Sequence, residues 1–295
     1  MNRLEIFYYF LYFILNFLSF ILEIFFNYKL LISIPISFQF KQIFVSSLSI
    51  FFLYLTRNKP GYVEKDKEKL ETKSYISTNV ESSPIVQLNL MPNNGCEICQ
   101  IKKLPLRSLH CPKCKKCVKG FDHHFWILAG CIGENNRFSF FLFLLFQNIS
   151  NIMSLYGILK ILNNQDNEYL TYILIFLFSI FCLIEILFFW ILIYHIYLLI
   201  SNQSTYELFN EEKCPYLSIF ILERQKLLAQ RGIVIINNSK PRPFDKGIIN
   251  NICLYFNKMF NSEKSINWEE LYFNNLRTNQ VKLNCGDKEV FNSIK

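Results

Sequence analysis

Four apolar runs set the terms on which this chain can fold. They cover Leu4–Phe26, Phe38–Leu55, Phe138–Leu159 and Leu170–Ile200, and a helix needs about 20 apolar residues to cross the hydrocarbon core of a bilayer. The second run is the shortest in effect, because Lys41 lies near one end and Pro35 interrupts the approach. The first is longer than the apolar region of a signal peptide and lacks a small-residue cleavage site, so it reads as a span rather than a leader. The expected fold class is an all-α polytopic membrane protein with four transmembrane helices. A composition of 52% hydrophobic and 17% aromatic residues fits that class better than a soluble domain of this size.

Basic residues fix which way the spans run. The segment from Arg57 to Arg137 carries Lys59, Lys65, Lys67, Lys69 and Lys73, then Arg107 and further lysines among the cysteines. The connection between the first two runs offers only Lys29, and that between the last two only Lys160, beside Asp166 and Glu168. This asymmetry places the long loop and both termini in the cytosol. The chain then divides into residues 1–56 with two spans, a cytosolic loop at 57–137, residues 138–200 with two more spans, and a cytosolic tail at 201–295. The net charge of +8 is concentrated beside the spans, where topology and anionic lipid account for it, so membrane lipid is an expected partner and nucleic acid is not. Two ionisable residues fall inside the fourth run. His195 lies near its cytosolic end and is expected to reach water, while Glu185 is either a neutral carboxyl packed on another helix or a ligand contact. In the tail, an apolar patch from Gly247 to Phe256 is placed to fold back onto the loop module or the membrane surface.

The loop holds the chemistry. Six of the ten cysteines and three of the four histidines lie between Cys96 and Cys131: Cys96-Glu-Ile-Cys99, His110-Cys111-Pro-Lys-Cys114-Lys-Lys-Cys117, Asp122-His123-His124-Phe125, and Cys131. Thiolate and imidazole are the ligands zinc prefers, and CxxC turns present sulfurs in pairs, which in a reducing compartment argues for metal over disulfides. Two closed tetrahedral sites need eight ligands and the stretch supplies nine, leaving one histidine over. His123 and His124 are adjacent and point in different directions. A histidine beside Asp122 is either an oriented general base or a zinc-bound ring fixed by a carboxylate, and spacing leaves both open.

These residues resemble the DHHC family of protein S-acyltransferases, in which a cysteine-rich module sits between the second and third of four spans and ends in Asp-His-His-Cys. Lys59-Pro60-Gly61 is similar to the family's Asp-Pro-Gly, Ser204-Thr205-Tyr206-Glu207 to its Thr-Thr-x-Glu, and Phe244-Asp245-Lys246-Gly247 with Asn251 to its C-terminal motif. The resemblance implies two zinc ions, one held by Cys96, Cys99, His110 and Cys117, the other by Cys111, Cys114, His124 and Cys131. It implies that Asp122 and His123 activate a nucleophile, that palmitoyl-CoA is the acyl donor, that client membrane proteins are the acceptors, and that the chain resides in an endomembrane such as the ER or Golgi.

The decisive position departs from the family, because Phe125 stands where the nucleophilic cysteine belongs. The interval from His124 to Cys131 is that of the family and contains no thiol, so slippage of the alignment does not restore one. Trp126 to Gly130 depart from the usual Pro-Trp-x-x-Asn as well. Three accounts follow: a pseudoenzyme that serves as a zinc-binding membrane scaffold or adaptor; an active S-acyltransferase whose codon 125 has been misread by one base; or transfer of the nucleophile's role to Cys253 or Cys182. Cys131 is no substitute, since a zinc-bound thiolate is committed to its metal.

The charge asymmetry carries its own test. A glycosylation acceptor inserted between Asn163 and Asn167 is expected to be modified, and one inserted after Ser201 is not; the reverse pattern overturns the topology.

Overall fold

The computed structural model describes residues 36–64, 95–164, 166–229, 242–261 and 266–275. Three of its helices are long and apolar enough to cross a membrane: α1 (Ile36–Asn58), α2 (Arg137–Asn163) and α3 (Glu168–Ser201). They match the second, third and fourth apolar runs; the first run lies outside the described residues. Helix α1 runs through Lys41, whose side chain is exposed. Lys41, expected to shorten this span, does not, while Pro35 lies outside the described residues. Two compact units result, one formed by the chain up to Pro60 with His124–Leu198, the other by Gly61–His123 with the chain from Leu199 onward.

In the first unit, α1 and α2 are antiparallel and joined by a ladder of polar side chains inside the apolar spans. Gln42 Nε2 donates to Ser154 Oγ at 3.1 Å, Ser46 and Ser150 hydroxyls pair at 2.7 Å, and Ser49 Oγ donates to Gln147 Oε1 at 2.7 Å. Each rung satisfies groups that lipid cannot, and together they fix the register of the two helices. Asn148 Nδ2 reaches across to the Phe188 carbonyl of α3 at 3.3 Å. At the end of α1, Asn136 Nδ2 donates to the Thr56 carbonyl at 2.6 Å and to the Cys131 carbonyl at 2.9 Å, tying the loop before α2 to α1. Leu53, Leu128, Ile132, Phe140, Phe143, Phe188 and Leu192 close the core around Phe125. His195, expected to reach water, is instead buried edge-on against Phe140, the ring centroids 4.9 Å apart. The correction has a geometric cause: α3 continues to Ser201, and His195 sits on the face turned toward α2 rather than at an open end. Glu185 is half-buried in α3, as a carboxyl packed among helices would be.

The second unit is built of short pieces. Strands β1 (Leu109–Cys111) and β2 (Lys116–Val118) form an antiparallel hairpin with His110 opposite Cys117. The chain from Gly61 runs alongside, with Lys119 N donating to the Gly61 carbonyl at 2.8 Å and Val63 N to that of Cys117 at 2.9 Å. Gly61 takes φ +87°, a left-handed conformation that explains the glycine. Strands β3 (His123–Phe125) and β4 (Gly130–Ile132) pair as a separate two-stranded sheet, which from His124 onward belongs to the first unit. After α3 come α4 (Thr205–Phe209), α5 (Pro215–Ala229), α6 (Ile248–Phe260) and helical turns at 268–275.

Arg107 holds these pieces together. Its Nε and Nη2 grip Glu207 at 2.7 and 2.6 Å, Nη1 and Nη2 reach the Asn202 side chain and carbonyl at 3.1 Å each, and the guanidinium lies between the rings of Phe244 and Trp268 at 4.3 and 4.4 Å. Burial alone would lower the Arg107 pKa, but the Glu207 charge outweighs it and holds the pKa above its ordinary value. Tyr216 donates to Glu207 Oε1 at 2.9 Å. Burial and then the Glu207 charge push that phenol well above its ordinary value, so it remains a neutral donor.

Removing one partner of a buried ion pair strands the other and costs about 3–5 kcal/mol. Glu207→Gln is expected to lower the thermal unfolding temperature of the detergent-purified protein and to hasten tryptic cleavage after Arg107. The exposed control Glu212→Gln is expected to behave as wild type.

Candidate metal centre

The two CxxC segments adopt the same local turn. In the first, Cys99 N donates to Cys96 Sγ at 3.4 Å and Gln100 follows at φ +55°; in the second, Cys114 N donates to Cys111 Sγ at 3.5 Å and Lys115 follows at φ +54°. A left-handed residue just after the second cysteine turns both sulfurs to one side. Gly95 also has a reason, since a Cβ there would lie 2.6 Å from the Lys102 carbonyl oxygen.

The first turn and the β1–β2 hairpin gather four donors. Cys96, Cys99, His110 and Cys117 each offer one ligand atom, and all four atoms lie within 4.8 Å of one another. His110 Nδ1 is 3.2 Å from Cys99 Sγ and 3.8 Å from Cys117 Sγ. Zinc bonds of about 2.3 Å to sulfur and 2.0–2.1 Å to nitrogen imply ligand separations of roughly 3.5–3.8 Å in a tetrahedron, so the group is close to the required size. Three thiols and one imidazole are also the donor set of a closed structural zinc site.

The other expected ligands form two pairs, one in each compact unit. Cys111 and Cys114 occupy the second CxxC turn. His124 and Cys131 lie on β3 and β4, with Nδ1 and Sγ 3.7 Å apart, again at ligand separation.

Asp122 is almost completely buried and fully engaged. Its Oδ2 receives His123 Nδ1 at 2.6 Å and Thr205 Oγ1 at 2.9 Å, and its Oδ1 receives Thr205 N at 2.8 Å. Thr205 is held in turn by a helix cap: Ser204 Oγ accepts from Glu207 N at 3.1 Å, while Glu207 Oε2 accepts from Ser204 N at 2.8 Å. The carboxylate thus receives donors from both a histidine and a helix start, and it holds the imidazole with Nδ1 toward the acid. His123 is not among the four donors of the first metal group.

Phe125 is 6% exposed, its ring edge-on to Phe140 at 5.0 Å within the apolar cluster of the first unit. Cys182 is half-buried in α3, and Cys253 is exposed on α6.

Sequence reasoning passed over Arg107 and Asn202. Arg107 entered only as one of the basic residues setting the topology, and its partner lies 100 positions along the chain. The spacing of cysteines and histidines carries no trace of it. The Asn251 position was legible: its side chain receives Lys246 N at 2.9 Å and donates to Asp245 Oδ1 at 2.7 Å and to the Ile200 carbonyl at 2.6 Å.

Residues 89–212 match the family described as DHHC palmitoyltransferase. Over 100 residues the chain is 34% identical to palmitoyltransferase akr1 of Emericella nidulans, covering 34% of this chain and 13% of that protein. It is 38% identical over 72 residues to palmitoyltransferase SWF1 of Saccharomyces cerevisiae, covering 24% and 21%, and 37% identical over 111 residues to palmitoyltransferase ZDHHC13 of Mus musculus, covering 37% and 16%. The chain thus spans between 13% and 21% of the length of these three relatives. With the cysteine–histidine groups, the Asp122–His123 pair and the Ser204–Glu207 cap in place over the same stretch, the chain carries across residues 89–212 a domain of the DHHC palmitoyltransferase family.

Proposed function

We propose that this protein is a membrane-embedded member of the S-acyltransferase type in which the palmitoylation centre has lost its nucleophile, and that it acts as a zinc-stapled scaffold for client membrane proteins and lipid. The observation that carries the reading is Phe125, whose buried ring packs on Phe140 where an attacking sulfur belongs. In the family reaction a cysteine thiolate attacks the thioester carbonyl of palmitoyl-CoA, coenzyme A leaves as its thiol, and the acyl group passes to a cysteine of the client protein. A phenyl ring forms no thioester, so the first of these transfers has no acceptor. Asp122 and His123 keep the arrangement of a carboxylate-oriented base, with nothing at position 125 for the base to deprotonate.

Two zinc ions complete the proposal. Cys96, Cys99, His110 and Cys117 would hold the first, and Cys111 and Cys114 together with His124 and Cys131 the second. Four protein ligands close each site, which suits a structural role and leaves no open position for catalysis by the metal. The small hairpins bury too little apolar surface to hold themselves, so metal binding would supply much of their folding energy. Both termini in the cytosol follow from the loop charges, and an endomembrane location from the family resemblance.

Metal analysis of the purified protein is expected to give two zinc ions per chain, and Cys111→Ser or Cys114→Ser is expected to make residues 96–131 sensitive to protease. One ion or none, or unchanged protease resistance in both variants, contradicts the assignment. Incubated with a labelled palmitoyl analogue of coenzyme A, wild type is expected to stay blank, and Phe125→Cys to gain hydroxylamine-sensitive label. Label on wild type that survives Cys182→Ala and Cys253→Ala defeats the dead-enzyme reading. Label lost in Cys253→Ala alone moves the nucleophile to α6.

A further inference from the structure

Helix α6 has two faces, and only one of them belongs to the protein interior. Asn251, Tyr255 and Lys258 recur at helical spacing and are buried. On the opposite side Ile249, Cys253, Phe256 and Phe260 recur at intervals of four, three and four, which places them in one stripe along the helix. That stripe is open: Ile249 is 75% exposed, Phe256 45% and Phe260 67%. Ile248, on the flank, is 57% exposed. A run of large apolar side chains on the outside of a helix whose other face already supplies its packing calls for an apolar partner.

The tether of α6 identifies that partner. Asn251 Nδ2 donates to the carbonyl of Ile200 at 2.6 Å, and Asn202 Nδ2 donates to the carbonyl of Phe244 at 2.8 Å. Tyr255 adds a bond from its hydroxyl to Asn202 Oδ1 at 2.7 Å. Ile200 belongs to the last turn of α3, the most apolar of the three membrane-spanning helices, with mean hydropathy 2.7. The start of α6 is therefore pinned to the last turn of that helix. From that point α6 extends about 20 Å for its 13 residues.

We propose that α6 lies in the membrane interface at the C-terminal end of α3, with Ile249, Phe256 and Phe260 inserted among the lipids. The buried face keeps its hydrogen bonds and aromatic contacts to the protein, and the stripe occupies the boundary between headgroups and acyl chains, the usual depth of an amphipathic interfacial helix. The tail is then attached to the bilayer twice, through α3 and through α6, and the Arg107 cluster is held near the membrane surface by Asn202, which contacts Arg107 and Tyr255 alike.

The test places a photoreactive benzoyl-phenylalanine at single positions of the full chain reconstituted in phosphatidylcholine vesicles containing a radiolabelled phospholipid. Ile249, Phe256 and Phe260 are the test positions. Asn250, exposed on the flank of the same helix, is the control. Illumination is expected to give phospholipid adducts at the three test positions at roughly tenfold the yield at Asn250. Equal yields at all four positions, or adducts to a second copy of the chain in place of lipid, overturn the proposal. Because replacement of an exposed aromatic or aliphatic residue by another large apolar one leaves the buried face untouched, a missing adduct is not explained by failure to fold. Each variant is checked for wild-type thermal unfolding before illumination.

Discussion

The ion pair between Arg107 and Glu207 is the contact on which the rest of the second unit depends. Glu207 serves two masters with its two oxygens: both receive the guanidinium, while Oε2 also accepts the Ser204 amide to close the cap of α4. That cap presents Thr205 to Asp122, and Asp122 orients His123. The line from an arginine in the cysteine-rich loop to the imidazole of the candidate base thus passes through a helix located after the last span. A charge pair sealed between Phe244 and Trp268 is worth having only when every lone pair and proton is satisfied, and here Asn202 and Tyr216 supply the remaining partners. The Ser204-Thr205-Tyr206-Glu207 motif therefore has a physical meaning beyond family likeness, Ser204, Thr205 and Glu207 each being set by a side-chain bond it makes.

What the sequence disclosed and what it hid divide along the same physical line. Spans appear as runs of apolar residues because the bilayer acts on every residue in turn, and α1, α2 and α3 fall where those runs lie. Ligands of the first metal group were legible because a metal requires particular atoms at close spacing along the chain. The Arg107 cluster was hidden because its partners come from positions 202, 207, 244 and 268, and nothing local distinguishes a buried arginine from an exposed one. The Ser46–Ser150 and Ser49–Gln147 rungs were hidden for a related reason. Scattered serines and glutamines in an apolar run look like impurities until the two helices are laid antiparallel. His195 was misplaced because distance from the end of a helix does not say which side of the helix a residue occupies.

Phe125 is more than a missing thiol. A buried phenylalanine that contacts Phe140 within the same core as Leu53, Leu128 and Phe188 contributes on the order of 1.5–3 kcal/mol through burial. Restoring cysteine removes most of that volume, so Phe125→Cys exchanges stability for chemistry. On the proposed reading, packing has taken over this position, while the Thr205 contact gives Asp122 a structural role as well.

The claim at the centre is that the activating pair survives without its sulfur. It is tested most directly by the pH dependence of alkylation at the thiol introduced by Phe125→Cys, followed site by site by mass spectrometry with both metal groups loaded. The account predicts titration well below the ordinary thiol value of about 8.5, because an imidazole oriented by Asp122 stabilises the thiolate. It also predicts that adding Asp122→Asn returns the titration to the ordinary value. A thiol that titrates normally in Phe125→Cys, with no response to Asp122→Asn, would contradict it.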